Sequence, residues 1–356
     1  MGLIEETASA VSPPDRRAYE KALRRCDTLT KPPGSLGVLE ETAARIAAIT
    51  GRDRPRAQKK AVAVFAADHG VAQEGVSAFP KEVTRQMVNN FLSGGAAVNV
   101  LARLVGADVF IVDAGVDFDF PSGGVISKKT AKGTRNFAKR AAMTREQAVR
   151  SVEAGIETAF DIADGGYQIA APGDMGIGNT TSAAAVICAS YGVSPKDITG
   201  AGTGLGPAGV REKAGVVSRA LKKHFPRFPN APRPDALEIL RKVGGFEIGA
   251  AAGMMVGLAA RRIPVVADGF VIASAVCLAV SLCPAVAEYL FFSHKSSEKG
   301  HAKTLRLLGK TAPMDLGMRL GEGTGALIMF PVIDAALALF NRMATFESAG
   351  VSRAPR

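Results

Sequence analysis

The sequence has few cysteines and no ordered set of metal ligands. Cys26, Cys188, Cys277 and Cys283 form no Cys-x-x-Cys pair and have no organised histidine partners, so a zinc site is not expected; isolated thiols in a reducing compartment are. No P-loop of the form GxxxxGK[ST] is present, and no good GxGxxG follows the first apolar strand, which sets aside a P-loop ATPase and a nicotinamide-dependent dehydrogenase. The start, MGLIEETASAVSPPD, lacks the basic segment and apolar core of a secretion signal, and the expectation is a cytoplasmic protein. Long apolar runs are also missing: residues 270–283 and 327–339 are too short for a secure membrane span and read as buried helices beside a sheet, with no membrane partner.

What is present is ample core-forming material. The 356 residues are 47% hydrophobic with a mean hydropathy of +0.14, which excludes a mostly disordered, collagenous or coiled-coil chain. Lys plus Arg exceed Asp plus Glu by 44 to 33, a net charge of +11. Residues 128–145 carry seven basic and no acidic residues, and 211–241 hold a second excess. Such a field suits nucleic acid, a phosphorylated small molecule or simple solvation. Without zinc-finger spacing, an RNA-binding aromatic pair or a recognition helix, no nucleic-acid partner is expected.

Helical spacing over residues 15–26 and 36–49, separated by TLTKPPGS, predicts two short helices joined by a rigid loop. The period then changes. AVAVFAADHG (61–70) and ADVFIVDAG (107–115) each read as a short apolar strand ending in a polar turn, with helices over 81–91 and 96–105. Further strands are expected within 167–171, 263–267 and 286–293, alternating with helices over 144–162, 178–190, 246–260 and 270–282. The fold class is therefore α/β, with a mainly parallel sheet covered on both faces. The apolar segment 323–343, interrupted by the breaker Pro331, is placed against the N-terminal helices. This gives a discontinuous small helical domain of residues 1–55 and 323–356, and a large domain of 56–322.

Three polar clusters carry chemistry. In FAADHGVAQEGVSAFPKEVTRQMV, Asp68 and His69 follow a strand, where they cap it or face a crevice; Ser77, Gln86 and Met87 suit the wall of a planar-ligand pocket, with ordinary core the alternative for Met87. In APGDMGIGNTTSAAA, Gly173, Gly176 and Gly178 permit tight turns before Asn179 and Thr180, where a helix start offers amides and hydroxyls to phosphate; Asp174 suits a ribose hydroxyl or a proton transfer. In GAGTGLGPAGVREK, Gly202, Thr203 and Gly204 precede Lys213 in a second phosphate-suited arrangement. The later SHKSSEKGH holds Ser293, His294, Ser296, Glu298 and His301, which bind an anion or shape a loop. Glu322, between glycines before a helix, reads as a cap or as a base.

Taken in order, LTKPPGSLGVLE, FAADHGVAQEGVSAFPKEVTRQMV, GDMGIGNTT, GAGTG, GGFEIGA, PVVADGF, SHKSSEKGH and LGMRLGEGTGA closely resemble the nicotinate-nucleotide:dimethylbenzimidazole phosphoribosyltransferases, through most of the chain. The resemblance implies transfer of the 5-phosphoribosyl group of nicotinate mononucleotide to 5,6-dimethylbenzimidazole, with inversion at the anomeric carbon. It further implies a Rossmann-like three-layer α/β/α domain, a small helical domain from both chain ends, a homodimer, and no cofactor or metal.

Residue by residue, the resemblance places the general base at Glu322. The nucleotide and phosphate would be held by Asp174, Gly176, Gly178, Asn179, Thr180, Gly202, Thr203, Gly204, Lys213 and Ser293. The base would lie among Ser77, Gln86, Met87 and Leu320. Lys295 and Lys299 depart from the family's less basic loop, either lying near substrate phosphate or facing solvent. Another lower base, such as adenine or a phenolic compound, is the nearest alternative acceptor.

Overall fold

The computed structural model describes residues 2–121, 123–230 and 233–352. Met1 and residues 353–356, included in the expected small domain, lie outside the described residues. The elements run α1 Leu3–Ala10, α2 Arg16–Thr28, α3 Val38–Thr50, β1 Lys60–Ala67, α4 Val83–Leu92, α5 Ala97–Val105, β2 Ala107–Gly115, β3 Val125–Ser127, α6 Arg145–Asp164 and β4 Ile169–Met175. They continue with α7 Asn179–Tyr191, α8 Pro195–Ile198, α9 Pro207–His224, α10 Ala236–Val243, α11 Phe246–Ala260, β5 Val265–Ala267, α12 Phe270–Leu282, β6 Leu290–Phe292, α13 His301–Leu307, α14 Thr324–Arg342 and α15 Phe346–Ala349.

All eight residues of β1 are buried, so neither face of this strand meets water and it belongs at the centre of a sheet covered on both sides. The six strands pair in the order β3-β2-β1-β4-β5-β6, every pair parallel. This is the strand order of a doubly wound sheet, and it reverses direction between β1 and β4, where the carboxyl ends of the strands open a crevice. The apolar alternation foresaw five of these strands. β3 lies between Gly123–Gly124 and Lys128–Lys129, which read as loop, and is recruited at the sheet edge by pairing with β2.

The helices cover the sheet by close backbone approach as well as by side-chain packing. α11 packs on α6 and also contacts β1, β2, β4 and β5. A Cβ at Gly155 would stand 1.8 Å from the Ala250 carbonyl oxygen, and one at Gly253 would stand 1.9 Å from that of Val152. Gly155→Ala is therefore expected to cost at least about 3 kcal/mol, overpacking outweighing the roughly 1 kcal/mol that alanine gains in helix propensity. An unchanged thermal midpoint would contradict this approach.

The two chain ends meet. α2, α3 and α14 pack together; Arg25 Nε donates to the Phe340 carbonyl at 2.9 Å, and Leu29 bridges Thr345. The Lys31–Glu40 ion pair is buried at 2.8 Å, and Glu40 also accepts the Leu36 N–H, which locks the KPPGSLG turn. α1, by contrast, packs against α6 and α11.

Pro331 does not break α14 as its residue type suggests, but lies inside the helix. An interior proline costs about 3 kcal/mol. Burial of Leu327, Phe330 and Ile333, at roughly 1.5–3 kcal/mol each, offsets it. α14 is also the one described helix long and apolar enough to cross a membrane by length and composition; here it packs on α3 and α5.

Candidate active site

A cavity of about 400 Å³ opens at the carboxyl ends of the strands, beside the β1/β4 reversal, within the size range of small-ligand pockets. Phe79, Val83 and Met87 form an apolar wall from α4 and the loop before it, while Phe270 and Val271 contribute from the first turn of α12. Asp174, Gly176, Asn179 and Thr180 line it from β4 and α7. Three loops complete it through Gly202 and Thr203, through His294, Ser296 and Glu298, and through Arg319 to Glu322.

The loop carrying Glu322 is the most constrained part of the site. Gly321, Glu322 and Gly323 have φ values of +90°, +62° and +83°. Glycine adopts such angles freely, but a glutamate held there stores roughly 1–3 kcal/mol of strain. Two contacts hold the turn. Asp268, just beyond β5, accepts the N–H groups of Gly323 at 3.0 Å and Gly325 at 2.8 Å. Gly173 on β4 leaves room for the turn, since a Cβ there would stand 2.6 Å from the Glu322 carbonyl oxygen. Glu322 Oε2 accepts the Val98 N–H at 3.4 Å from the first turn of α5.

Burial raises the pKa of Glu322, and the Val98 hydrogen bond opposes the rise. Asp268 is pushed up to about 7 by burial, against the lowering effect of its backbone N–H bonds. Asp174 lies well above the ordinary carboxylate range because of burial first, then the neighbouring Asp268, Glu247 and Glu322 charges. Its hydrogen bond from Asn179 Nδ2, 2.9 Å, works in the opposite direction. A carboxylate dropped into such surroundings favours holding a proton.

On the opposite side, Lys213 is buried and donates to Thr180 Oγ1 at 2.7 Å. Burial lowers its pKa to about 8. Lys213 stands behind the cavity wall: a Cβ at Gly202 would stand 2.8 Å from its Nζ. Glu298 accepts the Gly202 N–H with both oxygens, at 3.1 and 3.2 Å, and Arg319 Nη1 donates to the Gly202 carbonyl at 3.0 Å. Ala78 N–H donates to Thr203 Oγ1 at 3.0 Å, and Ser77 Oγ lies 3.0 Å from the same oxygen.

Of the residues singled out by sequence, Asp174, Gly176, Asn179, Thr180, Gly202, Thr203, His294, Ser296, Glu298, Glu322, Met87 and Leu320 line the cavity. Lys213 sits one layer behind, as do Ser77, which supports Thr203, and Ser293, a buried residue 3.0 Å from His294 Nδ1. Gly178 caps α7 at φ +97°, Gly204 is an exposed turn at φ +115°, and Gln86 is exposed on α4 outside the wall. His69 is sealed in the core between Ser182 and Glu247, at 2.9 and 2.7 Å.

Asp68 and Asp113 serve strand ends: Asp68 accepts the Asp117 N–H, and Asp113 pairs with Lys129 at 2.7 Å. His301 accepts the Ser296 N–H at 2.8 Å; its pKa falls to about 4 through burial. Lys295 pairs with Asp315, and Lys299 donates to the Lys196 carbonyl; neither lines the cavity. Sequence reasoning missed Arg319, Phe79 and Phe270. A lone arginine in a loop carries no periodic signal, and Phe270 read as core because it opens an apolar helix.

A family model described as phosphoribosyltransferase matches residues 11–351. The nicotinate-nucleotide–dimethylbenzimidazole phosphoribosyltransferases of Roseiflexus sp. (strain RS-1) and Chloroflexus aggregans are 51% and 50% identical to this chain over 353 residues, covering 99% of this chain and 99% of each relative. The crystal structure of the enzyme of that name from Thermus thermophilus superposes with a TM-score of 0.89 at 44% identity, covering 96% of this chain and 100% of that one. Full-length similarity of this kind, together with a doubly wound sheet bearing a cavity at its strand reversal, establishes that the chain belongs to the nicotinate-nucleotide–dimethylbenzimidazole phosphoribosyltransferase family.

Proposed function

We propose that Glu322 is the general base of a phosphoribosyl transfer from nicotinate mononucleotide to 5,6-dimethylbenzimidazole, giving nicotinate and alpha-ribazole 5'-phosphate. The observation that carries this reading is a buried glutamate in strained left-handed backbone on the wall of the switch-point cavity. Strain of this kind persists where the surrounding structure holds it, and it concentrates at active sites.

One benzimidazole nitrogen attacks ribose C1' while the C1'–nicotinate bond breaks on the opposite face. The departing ring keeps the bonding pair and loses its pyridinium charge. The proton on the other benzimidazole nitrogen passes to the Glu322 carboxylate, so charge balances and the anomeric carbon inverts. Phe79, Met87 and Leu320 supply apolar contact for a flat bicyclic base carrying two methyl groups.

Thr180, Gly202 and Thr203 face the nucleotide. Because Lys213 donates to Thr180 Oγ1, the threonine proton is free to be donated onward, which suits a phosphate oxygen. Lys213 acts in this reading as a positioning residue through Thr180. The purified protein, incubated with both substrates in the presence of EDTA and followed by liquid chromatography and mass spectrometry, is expected to form nicotinate and alpha-ribazole 5'-phosphate in equal amounts. No product from bound substrates would overturn the reading. Preferential use of adenine or a phenolic acceptor in direct competition would reassign the base.

A homodimer is also part of the proposal, supported by Val100 and Leu104 of α5, which are 53% and 77% exposed at large apolar side chains. Light scattering should then give about twice 36.9 kDa; a monomeric mass at micromolar concentration would refute it. The packing of α2 and α3 with α14 supports a small helical domain drawn from 1–55 and 323–356, beside a large domain of 56–322, although α1 packs on α6 and α11 of the large domain.

A further inference from the structure

We propose that Arg319 binds the 5'-phosphate of nicotinate mononucleotide. The inference deepens the reading above and rests on it. Family resemblance assigned the phosphate's cation to Lys213, but that ammonium lies behind Thr180 and Gly202. Among the described residues Arg319 is the one lysine or arginine on the cavity wall.

The Gly202 peptide shows where that guanidinium is held. Glu298 grips the Gly202 N–H, Lys213 packs against its α-carbon, and Arg319 Nη1 takes its carbonyl at 3.0 Å. Arg319 thus stands beside Thr180, Gly202 and Thr203, the polar groups suited to a phosphate. Its side chain is exposed and uses one of five N–H donors on Gly202, leaving others for a forked contact with phosphate oxygens. Glu298 also lines the cavity and holds the Gly202 N–H, and a cation at Arg319 on the same peptide offsets the repulsion that carboxylate exerts on an incoming phosphate.

Titration calorimetry with three ligands separates the phosphate from every other part of the donor. Arg319→Gln is expected to weaken nicotinate mononucleotide roughly ten- to a hundredfold and nicotinamide mononucleotide, which keeps the phosphate but lacks the carboxylate, by the same factor. Nicotinate riboside, which lacks the phosphate, should bind wild type and variant alike. Arg319→Lys should recover part of the loss. In steady state the defect should fall on KM for the nucleotide, with kcat and KM for dimethylbenzimidazole within about threefold.

Nicotinate mononucleotide affinity within twofold of wild type would overturn the proposal. So would an equal loss for the riboside, which would make Arg319 only a brace for the Gly202 loop, or a loss confined to ligands bearing the carboxylate. Wild-type protein that neither binds nor consumes nicotinate mononucleotide would instead overturn the reading beneath it, and that control is read before any variant. Because Arg319 is exposed, the variants should melt with the wild type, and their melting curves exclude misfolding as the cause of a loss.

Discussion

Glu322→Gln is expected to lower kcat by roughly 10²- to 10⁴-fold, the usual contribution of a positioned general base, while nucleotide affinity stays within a few-fold. The amide keeps the size of the side chain, and its oxygen can still accept the Val98 N–H. What it loses is the ability to take a proton. The pH profile supplies a second check. A base works deprotonated, and burial raises the Glu322 pKa above its ordinary 4.5, so wild-type turnover should fall as pH drops through a value above that. The residual rate of the variant should lose this acid limb. Near-normal turnover, or an acid limb unchanged in the variant, would remove Glu322 from the reaction.

The same position offers a stability check, because its backbone is strained. Glu322→Gly should be at least as stable as wild type, since glycine adopts φ +62° without a steric cost, and should be as inactive as the glutamine variant. Rising stability with vanishing activity is the signature of strain held for function.

Gly173→Ala is expected to cost about 100-fold in turnover and about 1–3 kcal/mol in stability, from one methyl group outside the cavity lining. The new Cβ would stand 2.6 Å from the Glu322 carbonyl oxygen and 3.0 Å from the Gly323 nitrogen. These are backbone atoms of the turn tied to Asp268, so either β4 or the turn must shift. Misplacing a reacting group by about 1 Å costs on the order of 100-fold. Gly206→Ala is the control: a Cβ there meets nothing within 4 Å, and activity should remain within about twofold. If Gly173→Ala behaved like Gly206→Ala, the turn would not depend on this close approach.

The strand expected within 61–70, ahead of its polar turn, and the observed β1, Lys60–Ala67, show how much of the sheet was legible. An unbroken apolar run bounded by polar turn residues has few other folded uses than a central parallel strand. The α9 and α10 helices were lost among glycines, prolines and charges, where local pattern is weak. Within the site, the cavity positions of Asp174, Asn179 and Thr180 follow from one βα turn, so local sequence places all three together. Lys213 was assigned to the phosphate because a lysine after a glycine turn suits one, yet α9 carries it behind Thr180.

The alternation of strands and helices, the glycine-flanked Glu322 turn and the family are written in the chain itself, because hydrophobic period, backbone freedom and ordered motifs are properties of neighbouring residues. Folding alone settled the strand order that opens the crevice, the meeting of Gly173 with Glu322, and which cation reaches the cavity. Those outcomes depend on contacts between segments far apart in the chain. The raised pKa values of Asp174 and Glu322 belong to the same class, since burial and neighbouring charge come from the surroundings a side chain is folded into and not from its own type.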